Sequence, residues 1–378
     1  MPSFASRLRR KVVPRADAQR VALVGLGTAA YGIHLPALAQ LARARLIAGV
    51  DPSAAARDRF ARSHGLPVYS ELLPMLERER PDWVVVATPP KLHREACLAA
   101  LAAGAHVFCE KPFVADLSEG SQVLAAEEAS GRRVVVNHEF AAMPIFSCVP
   151  ESVHNGQLGE LVFLQFWEHQ LEVPHAGDDW RTECRTMREF GTHVVDLAVQ
   201  SYGAFPERLY ARMASPGGPP GSDLVDLVTL DFPGGRLASI VIDRVCHGPH
   251  RYLEMRADGT RASLRSSFGG RIDVQLGLDV RHRKPRARID LALGGQAWLE
   301  QGAQRRVIAR NSASPFADAT ARHFGQAIDA VAQGREPPVS AAYALDIVRV
   351  VEAAYQSAAS GEPVRFAETA NWRATCPA

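Results

Sequence analysis

The sequence predicts an α/β fold, with a doubly wound parallel sheet in its N-terminal part and an α+β domain containing an open, mostly antiparallel sheet in its C-terminal part. Short apolar strands alternate with helical segments up to about residue 140. That alternation is typical of a parallel sheet covered by helices on both faces. Beyond about residue 150, polar and apolar residues alternate and turn residues separate paired strands, which is typical of antiparallel hairpins.

Five buried strands are predicted in the N-terminal part, because each is a short and largely apolar run. They span residues 21–24, 45–51, 82–88, 105–110 and 134–137, and the helices between them span 53–62, 70–80, 92–103 and 117–130. In such sheets a ligand binds beyond the carboxyl ends of the strands. The residues predicted at those ends are Gly25, Asp51, Thr88, Glu110, Lys111 and Asn137.

The C-terminal part is predicted to contain a strand at 161–171, a helix at 187–202 and two hairpins. The hairpins pair 224–232 with 236–242, and 251–257 with 261–265 around a turn at Asp258-Gly259. Helices at 315–333 and 340–360 are expected to pack back on the body of the protein. The predicted boundaries are therefore a disordered basic tail at 1–19, a parallel-sheet domain at 20–140 and a second domain at 141–378.

Length and composition favour a globular protein with room for two cores, since the chain has 378 residues, of which 47% are hydrophobic and 22% charged. A net charge of +2 gives no strong field to attract nucleic acid or a membrane surface. No apolar stretch is long enough to span a bilayer. The six cysteines are scattered and none pair at C-x-x-C spacing, so we expect reduced thiols, a cytoplasmic location and no metal site.

A glycine-rich turn after the first strand predicts a nucleotide-binding site. In Gly25-Leu-Gly27-Thr-Ala-Ala30, the small Ala30 lets the next helix pack closely on the strand, and the positive end of that helix suits a phosphate. Asp51, at the end of the second strand, can accept hydrogen bonds from ribose hydroxyls and would repel a 2′-phosphate, so NAD is predicted. Arg57, one helical turn further on, keeps NADP as an alternative. An ordinary βα turn is the other interpretation.

Two further segments carry candidate catalytic side chains. Lys111 follows Glu110 at the end of a buried strand, where a lysine can take part in proton transfer or hold an alkoxide. Glu189, His193 and Asp196 are spaced at i, i+4 and i+7, so they share one face of a helix and the first acid can orient the imidazole. The structural alternatives are a surface lysine for Lys111, and for Glu189 and His193 either an exposed pair or a core histidine with a hydrogen-bonded neighbour.

Five short segments together resemble the Gfo/Idh/MocA oxidoreductases, a family named for glucose–fructose oxidoreductase and inositol dehydrogenase. The sequence ATPPKLH at 87–93, followed by AGAHVFCEKP at 103–112, is similar to that family's proline–histidine turn and E-K-P tripeptide. The sequence EFGTHVVD at 189–196 is similar to its D-x-G-x-H-x-x-D helix, and GREPP at 334–338 with AAY at 353–355 to its C-terminal signature. The resemblance covers nearly the whole chain after residue 19.

The resemblance implies an N-terminal Rossmann domain that binds NAD(P) and a C-terminal domain for substrate and oligomer contacts. It also implies a homo-oligomer, a dimer or tetramer, formed through the outer face of the C-terminal sheet. Lys111, Glu189 and His193 are implied to be the catalytic group. The implied cofactor contacts are Gly25, Gly27, Thr28, Ala29, Ala30, Asp51, Thr88, Pro89, His93, Glu110 and Lys111.

The activity implied by the resemblance is transfer of a hydride between the nicotinamide and a carbinol or carbonyl carbon of a sugar, a sugar derivative or a cyclitol. A glycosidase that uses NAD transiently and a non-catalytic regulator that senses the dinucleotide are the alternatives. Departures from the family pattern lie on the substrate side, where Glu189 replaces an aspartate and NHEFA at 137–141 replaces an arginine or aromatic. Asn137, Trp180 and Arg181 are predicted to border the substrate, and the basic run at 281–288 is interpreted as a charged loop.

Overall fold

The computed structural model describes residues 12–171, 186–215, 222–247, 251–269, 271–279, 284–292 and 294–366. Trp180 and Arg181, which were predicted to border the substrate, lie outside these ranges. None of the helices within the ranges is long and apolar enough to cross a membrane.

The N-terminal part is a six-stranded parallel sheet. Its strands are β1 (Gln19–Val24), β2 (Ala44–Val50), β3 (Val68–Tyr69), β4 (Trp83–Val86), β5 (His106–Cys109) and β6 (Val134–Val136). The order across the sheet is β3-β2-β1-β4-β5-β6, so the direction of winding reverses between β1 and β4, where sheets of this kind bind ligands. The predicted doubly wound Rossmann sheet is therefore confirmed, and the two-residue edge strand β3 is added to the five predicted strands.

Helices cover both faces of this sheet. After the glycine turn the chain forms a π-helical turn, Ala30–His34, which continues into α1 (Leu35–Leu38). The helices that follow are α2 (Ala54–His64), α3 (Leu72–Glu79), α4 (His93–Ala102) and α5 (Leu117–Ser130). Two of them begin at side-chain caps, because Ser53 accepts a hydrogen bond from the amide of Ala56 and Asp116 accepts one from the amide of Glu119.

The C-terminal part is built around a nine-stranded sheet. The strands of this part are β7 (Leu161–His169), β8 (Arg208–Ala214), β9 (Val225–Phe232), β10 (Arg236–Asp243), β11 (Arg251–Gly259), β12 (Ser263–Phe268), β13 (Arg271–Asp279), β14 (Lys284–Ala292), β15 (Gln296–Gln301), β16 (Gln304–Arg310) and β17 (Val364–Arg365). The order in the large sheet is β16-β15-β12-β11-β7-β10-β9-β8-β17, and β13 pairs with β14 alone. Only the β7–β10 pair is parallel among these strand pairs, which confirms a mostly antiparallel sheet.

Two details of the predicted C-terminal part were wrong. Residues 284–288 of the basic run, interpreted as a loop, belong to strand β14. The turn of the second hairpin lies at 260–262, since Gly259 still pairs with Leu161 of β7. A Cβ on Gly259 would overlap the carbonyl oxygen of Leu158, so glycine here permits a close approach of two backbones and does not form the turn itself.

Four long helices belong to the C-terminal part of the chain. They are α6 (Pro144–His154), α7 (Thr192–Tyr202), α8 (Pro315–Ala332) and α9 (Ala341–Ser360). A second π-helical turn, Met187–Gly191, leads directly into α7. The predicted helix at 187–202 is therefore present, but its first turn is wound more loosely than an α-helix.

Helix α8 packs on the N-terminal sheet, far from its own place in the sequence. Phe324 lies edge-on to Trp83, with ring centroids 5.3 Å apart, and beside Phe108 at 4.6 Å. These rings share a buried core with Val21 and Leu23 of β1. Helix α8 thus covers part of one face of the Rossmann domain.

Part of the predicted N-terminal tail is ordered against this domain. The backbone amides of Val12 and Arg15 donate hydrogen bonds to the carbonyl oxygens of Ala39 and Ala42, in the loop after α1. Residues 12–18 therefore follow that loop before β1 begins.

The buried acid Asp223 fixes the start of the helical segment that leads into α7, and a second buried acid, Asp226, lies near it. The Asp223 carboxylate accepts hydrogen bonds from the amides of Thr186 and Met187, at 3.0 and 2.8 Å, and from the hydroxyl of Tyr355 at 3.1 Å. Asp226 on β9 is fully buried, and neither of its carboxyl oxygens has a hydrogen-bond partner. Burial, and then the nearby Asp223 carboxylate, raise the pKa of Asp226 to about 9, so this acid is protonated at neutral pH.

Asp226→Asn should therefore stabilise the protein at alkaline pH. Between an ordinary pKa of 3.8 and the folded value of about 9, the folded state keeps a proton that the unfolded state has lost, so stability falls as the pH rises through this window. The amide cannot ionise and removes that dependence. In urea unfolding we expect the stability of the variant relative to wild type to rise by about 1.4 kcal/mol for each pH unit between pH 5 and pH 8.

The exposed Asp58→Asn substitution is the control for loss of one carboxylate, and it should change the free energy of unfolding by less than about 0.5 kcal/mol at either pH. An Asp226→Asn protein whose stability relative to wild type is the same at pH 5 and pH 8 would contradict a protonated Asp226.

Candidate active site

The glycine turn leaves the carboxyl end of β1 and opens outward. Gly25 has φ of +89°, and a Cβ there would lie 2.5 Å from the carbonyl oxygen of Ala87, so both its conformation and its packing require glycine. Gly27 is exposed, with no heavy atom within 4 Å of a Cβ position. The helix begins with Thr28, Ala29 and the buried Ala30.

Asp51 lies beside this turn at the end of β2. One carboxyl oxygen accepts a hydrogen bond from the amide of Leu26 and the other from the amide of Ser53, both at 2.8 Å. Arg57 donates to the carbonyl oxygens of Asp51 and Pro52, also at 2.8 Å. The carboxylate therefore ties the glycine turn to the start of α2, and the guanidinium of Arg57 is bound to the main chain next to it.

His93 fastens the loop after β4 to the loop after β5. The ring is fully buried, with Nε2 2.9 Å from the carbonyl oxygen of Thr88 and Nδ1 2.9 Å from that of Pro112. Burial lowers the pKa of His93 in spite of these carbonyls. Burial favours the neutral ring, which has one N–H and donates it to one of these two carbonyl oxygens. Because the ring lies between the two loops, it holds in place the loop that contains Thr88 and Pro89.

The Glu110 carboxylate joins segments from four parts of the chain at the end of β5. Its Oε1 lies 2.8 Å from Nε2 of His34, on the π-helical turn after β1, and accepts a 2.8 Å hydrogen bond from Nδ2 of Asn137. Asn137 is fully buried, and its Nδ2 also donates to the hydroxyl of Thr320 on α8 at 3.1 Å. Asn137, which was predicted to border the substrate, is therefore bound to this carboxylate.

The charge of Glu110 is set by its neighbours against the effect of burial. Burial alone raises the pKa of the carboxyl group. The hydrogen bond and charge of His34, the Asn137 amide and the charge of Lys111 outweigh that effect and lower the pKa to about 2. Glu110 is therefore ionised although it is almost completely buried.

Lys111 connects the end of β5 to the segment that carries the predicted acid and base. Its Nζ donates to the main-chain carbonyl oxygen of Glu189 at 2.9 Å and lies 5.4 Å from the centre of the Phe190 ring. Glu189 stands in the π-helical turn Met187–Gly191, four residues before His193. The structure thus gathers Lys111, Glu189 and His193 at one place, through the backbone of Glu189.

His193 is a buried and neutral imidazole. Its ring stacks on Phe140 at a centroid distance of 3.9 Å and an angle of 10°, and it meets His138 at 6.2 Å and 70°. Burial, followed by the charges of Lys111 and His138, holds the pKa of His193 well below its usual range. A neutral ring at neutral pH can accept a proton, as a general base must.

Asp196 extends the same helix face towards α9. Its Oδ1 accepts hydrogen bonds from the hydroxyl of Tyr343 at 2.7 Å and from Nε2 of Gln200 at 2.8 Å. Its Oδ2 lies 3.9 Å from Nδ1 of His138. Burial raises the pKa of Asp196 to about 7 and lowers that of His138 to about 3.

A second buried cation borders Phe190. The guanidinium carbon of Arg244 lies 3.9 Å from the centre of the ring, and Nη1 donates to Glu168 and Gln170, both at 3.2 Å. Burial raises the pKa of Glu168 to about 8, although the charge of Arg244 opposes this. This group was not predicted from the sequence, because Arg244 is 76 residues from Glu168 and 74 from Gln170. Its one local signal is an acid within an apolar, aromatic strand.

The residues at this sheet edge fit a dinucleotide. The front of the turn is open at Gly27. The hydroxyl oxygens of Tyr31 and Thr88 are buried without hydrogen-bond partners, and the ribose or amide groups of a bound dinucleotide would be such partners. Asp51 provides the acid expected at the end of β2. Within the described ranges, no three His, Cys, Asp or Glu side chains are grouped to hold a metal ion.

Comparison with known proteins covers both parts of the chain. Residues 19–138 match the family described as "Oxidoreductase family, NAD-binding Rossmann fold", and residues 147–265 match the GFO/IDH/MocA C-terminal domain. Together these two matches span more than half of the chain.

Individual relatives agree with these matches. D-apiose dehydrogenase of Paraburkholderia graminis is 24% identical over 352 residues, covering 91% of this chain and 89% of that protein. Inositol 2-dehydrogenase of Rubrobacter xylanophilus is 28% identical over 232 residues, covering 60% of this chain and 65% of that protein. A crystal structure of an oxidoreductase from Agrobacterium radiobacter in complex with NAD+, L-tartaric acid and magnesium has a TM-score of 0.77 at 20% identity, covering 92% of this chain and 98% of that one. The chain belongs to the Gfo/Idh/MocA family of NAD-binding oxidoreductases.

Proposed function

We propose that this protein is an NAD-dependent dehydrogenase or reductase that acts on a CH–OH group of a sugar, a sugar derivative or a cyclitol. The observation that carries the proposal is the hydrogen bond from Lys111 Nζ to the carbonyl oxygen of Glu189, which joins the lysine at the sheet edge to the helical segment of His193. The relatives named D-apiose dehydrogenase and inositol 2-dehydrogenase support the substrate class.

His193 is the proposed general base. Its neutral imidazole takes the proton of the substrate hydroxyl during oxidation and returns it during reduction of the carbonyl. The Lys111 ammonium holds the same oxygen and stabilises the negative charge that develops on it. Glu189, one helical turn before His193, is proposed to orient the imidazole. NAD, when bound, supplies the hydride acceptor.

The proposed cofactor site follows the carboxyl edge of the parallel sheet. The turn at 25–30 is proposed to hold the phosphates and Asp51 the adenosine ribose. Thr88, Pro89 and the Glu110–Lys111 pair stand nearer the middle of the edge, on the side of the proposed base. Trp180 and Arg181 stay predicted substrate contacts, and we propose that Asn137 and His93 act by holding Glu110 and the neighbouring loops in place.

Lys111→Met and His193→Asn should each lower kcat by about 10²–10⁴, because each removes a group that acts on the reacting oxygen. NADH formation with a panel of aldoses, polyols and cyclitols measures this effect, and calorimetric titration with NAD should show an affinity within a few-fold of wild type. Lys91→Met, an exposed lysine in the loop after β4, is the matched control and should retain full turnover. Unchanged turnover in both site variants would refute these assignments.

NAD and NADH should raise the midpoint of thermal unfolding, whereas NADP and NADPH should not, because the Asp51 carboxylate repels a 2′-phosphate. A ligand at about 100 times its dissociation constant adds roughly 2.7 kcal/mol to the stability of the native state. A rise with NADP(H) alone would overturn the cofactor preference and point to Arg57. No rise with any nucleotide, in protein shown by denaturing extraction to carry none, would contradict the proposed site.

We also propose a homo-oligomer formed through the outer face of the nine-stranded sheet. The apolar side chains of Tyr210, Leu227 and Leu237 on this face are 37%, 49% and 48% exposed, and exposed apolar groups that cluster on one face favour an interface. Leu227→Glu should lower the mass measured by analytical ultracentrifugation, and Leu73→Glu, on α3 of the other domain, should not. A wild-type protein that sediments as a monomer would exclude the proposal.

We also propose a cytoplasmic location, because the cysteines that the structure describes are free thiols. Cys97, Cys109, Cys148 and Cys246 are free thiols, and the first three are buried or nearly so. Reduced cysteines of this kind favour a reducing compartment.

A further inference from the structure

Behind His193, two buried side chains face each other with one unsatisfied atom each. Nδ1 of His138 and Oδ2 of Asp196 are 3.9 Å apart, and neither atom has a hydrogen-bond partner. His138 is 2% exposed and Asp196 is completely buried. A shift of about 1 Å would bring the two atoms to hydrogen-bond distance and satisfy both.

The position of Asp196 is fixed from its other side. Tyr343 and Gln200 both donate hydrogen bonds to Oδ1, which leaves Oδ2 to face His138. The ring of His138 also lies next to that of His193, at an angle of 70° with centroids 6.2 Å apart. Phe140 covers one face of the His193 ring, and Nδ1 of His193 is itself buried without a hydrogen-bond partner.

We infer that His138 is a positioning residue through which Asp196 selects the tautomer of the base His193. Asp196 accepts a hydrogen bond from Nδ1 of His138, which leaves Nε2 of His138 without a proton. Nδ1 of His193 is buried without a partner, and the unprotonated Nε2 of the neighbouring His138 ring is an acceptor for it. A hydrogen bond between them favours the His193 tautomer that carries its proton on Nδ1, so that Nε2 of His193 can accept the substrate proton. The inference rests on the proposed function, in which His193 is the base.

Other charged groups surround this pair without replacing either partner. Lys111 and Glu110 face it from the end of β5, Glu139 from the next position in the chain, and His323 from α8. None of them supplies a hydrogen bond to Nδ1 of His138 or to Oδ2 of Asp196. Burial also raises the pKa of Glu139 to about 8, so this acid adds little negative charge near the pair at neutral pH.

Asp196→Asn tests the inference directly. Because Tyr343 and Gln200 both donate hydrogen bonds to Oδ1 of residue 196, the new amide must turn its oxygen towards them. The new NH₂ group then faces His138 and donates to Nδ1, so the tautomer of His138 should reverse. In ¹⁵N-histidine NMR of the full-length protein at pH 7.5, we expect a protonated Nδ1 in wild type and a protonated Nε2 in the variant. The His138 signals are assigned by their loss in His138→Gln. Glu207→Gln, at an exposed acid, controls for loss of one charge and should leave the spectrum of His138 unchanged.

A protonated Nε2 in wild-type His138 overturns the inference, even if the variant does not fold. The same tautomer in wild type and in Asp196→Asn also overturns it. For the substrate found by the screen, kcat of Asp196→Asn should fall about tenfold or more with little change in KM, and the substitution should have no further effect in a His138→Gln background. An equal fall in both backgrounds would mean that Asp196 acts on His193 without His138.

The NMR experiment measures the His138 tautomer without substrate. The pairing of His138 with Asp196 and the proposed function can therefore be refuted independently of each other. A reversed tautomer in a protein that turns over no alcohol supports the pairing of His138 with Asp196 and refutes the proposed function. Turnover that depends on His193 together with an unchanged His138 tautomer supports the function and refutes the pairing.

Discussion

The buried carboxylate of Glu110 is the constraint on which the geometry of the site depends. An isolated carboxylate in this position would cost several kcal/mol of desolvation, and three neighbouring groups offset that cost. His34 comes from the helix of the glycine turn, Asn137 from the end of β6, and the amide and charge of Lys111 from the next residue. Because Asn137 also binds Thr320 on α8, the carboxylate fixes the nucleotide-binding turn, two strand ends and a C-terminal helix relative to one another. Lys111, the neighbour of Glu110, is thereby aimed at the segment that carries the base.

The two domains of this protein are less separate in space than in sequence. Helix α8 follows the large sheet in the chain, yet Phe324 is packed between Trp83 and Phe108 of the parallel sheet. Helix α9 supplies Tyr343 to Asp196, within the helix of the base, and Tyr355 to Asp223, the acid that binds the start of the segment leading into that helix. The site therefore lies where one domain is completed by the helices of the other, and its geometry depends on the same packing that stabilises the fold.

The features that could be predicted from the sequence are those with local signals. The parallel strands are short apolar runs. Gly25 stands where a tight turn requires a positive φ, and the helix of His193 is marked by the helical spacing of its polar residues. Side-chain partners could not be predicted in this way, because Glu110 and Asn137 are 27 positions apart and Asn137 and Thr320 are 183 apart. His138 carries no local signal, since its importance comes from a helix that packs against it. Gly259 was misassigned for a related reason: the backbone that requires it to be glycine belongs to another segment.

Burial decides the charge of most groups in the site, and this bears on the proposed chemistry. It keeps the imidazole of His193 neutral and holds protons on Asp226 and Glu139 at neutral pH. Among the three proposed catalytic residues, Lys111 therefore supplies the positive charge, and a protonated His193 beside it would place two cations together. In the proposed reaction that repulsion is relieved only while an alkoxide-like oxygen is held by Lys111, since the negative oxygen neutralises one of the charges. Asp196, with a pKa near 7 on the far side of His138, can offset the remaining charge. Proton transfer to His193 is thus favourable when a substrate oxygen is in place and unfavourable otherwise, which couples the base to the occupied site.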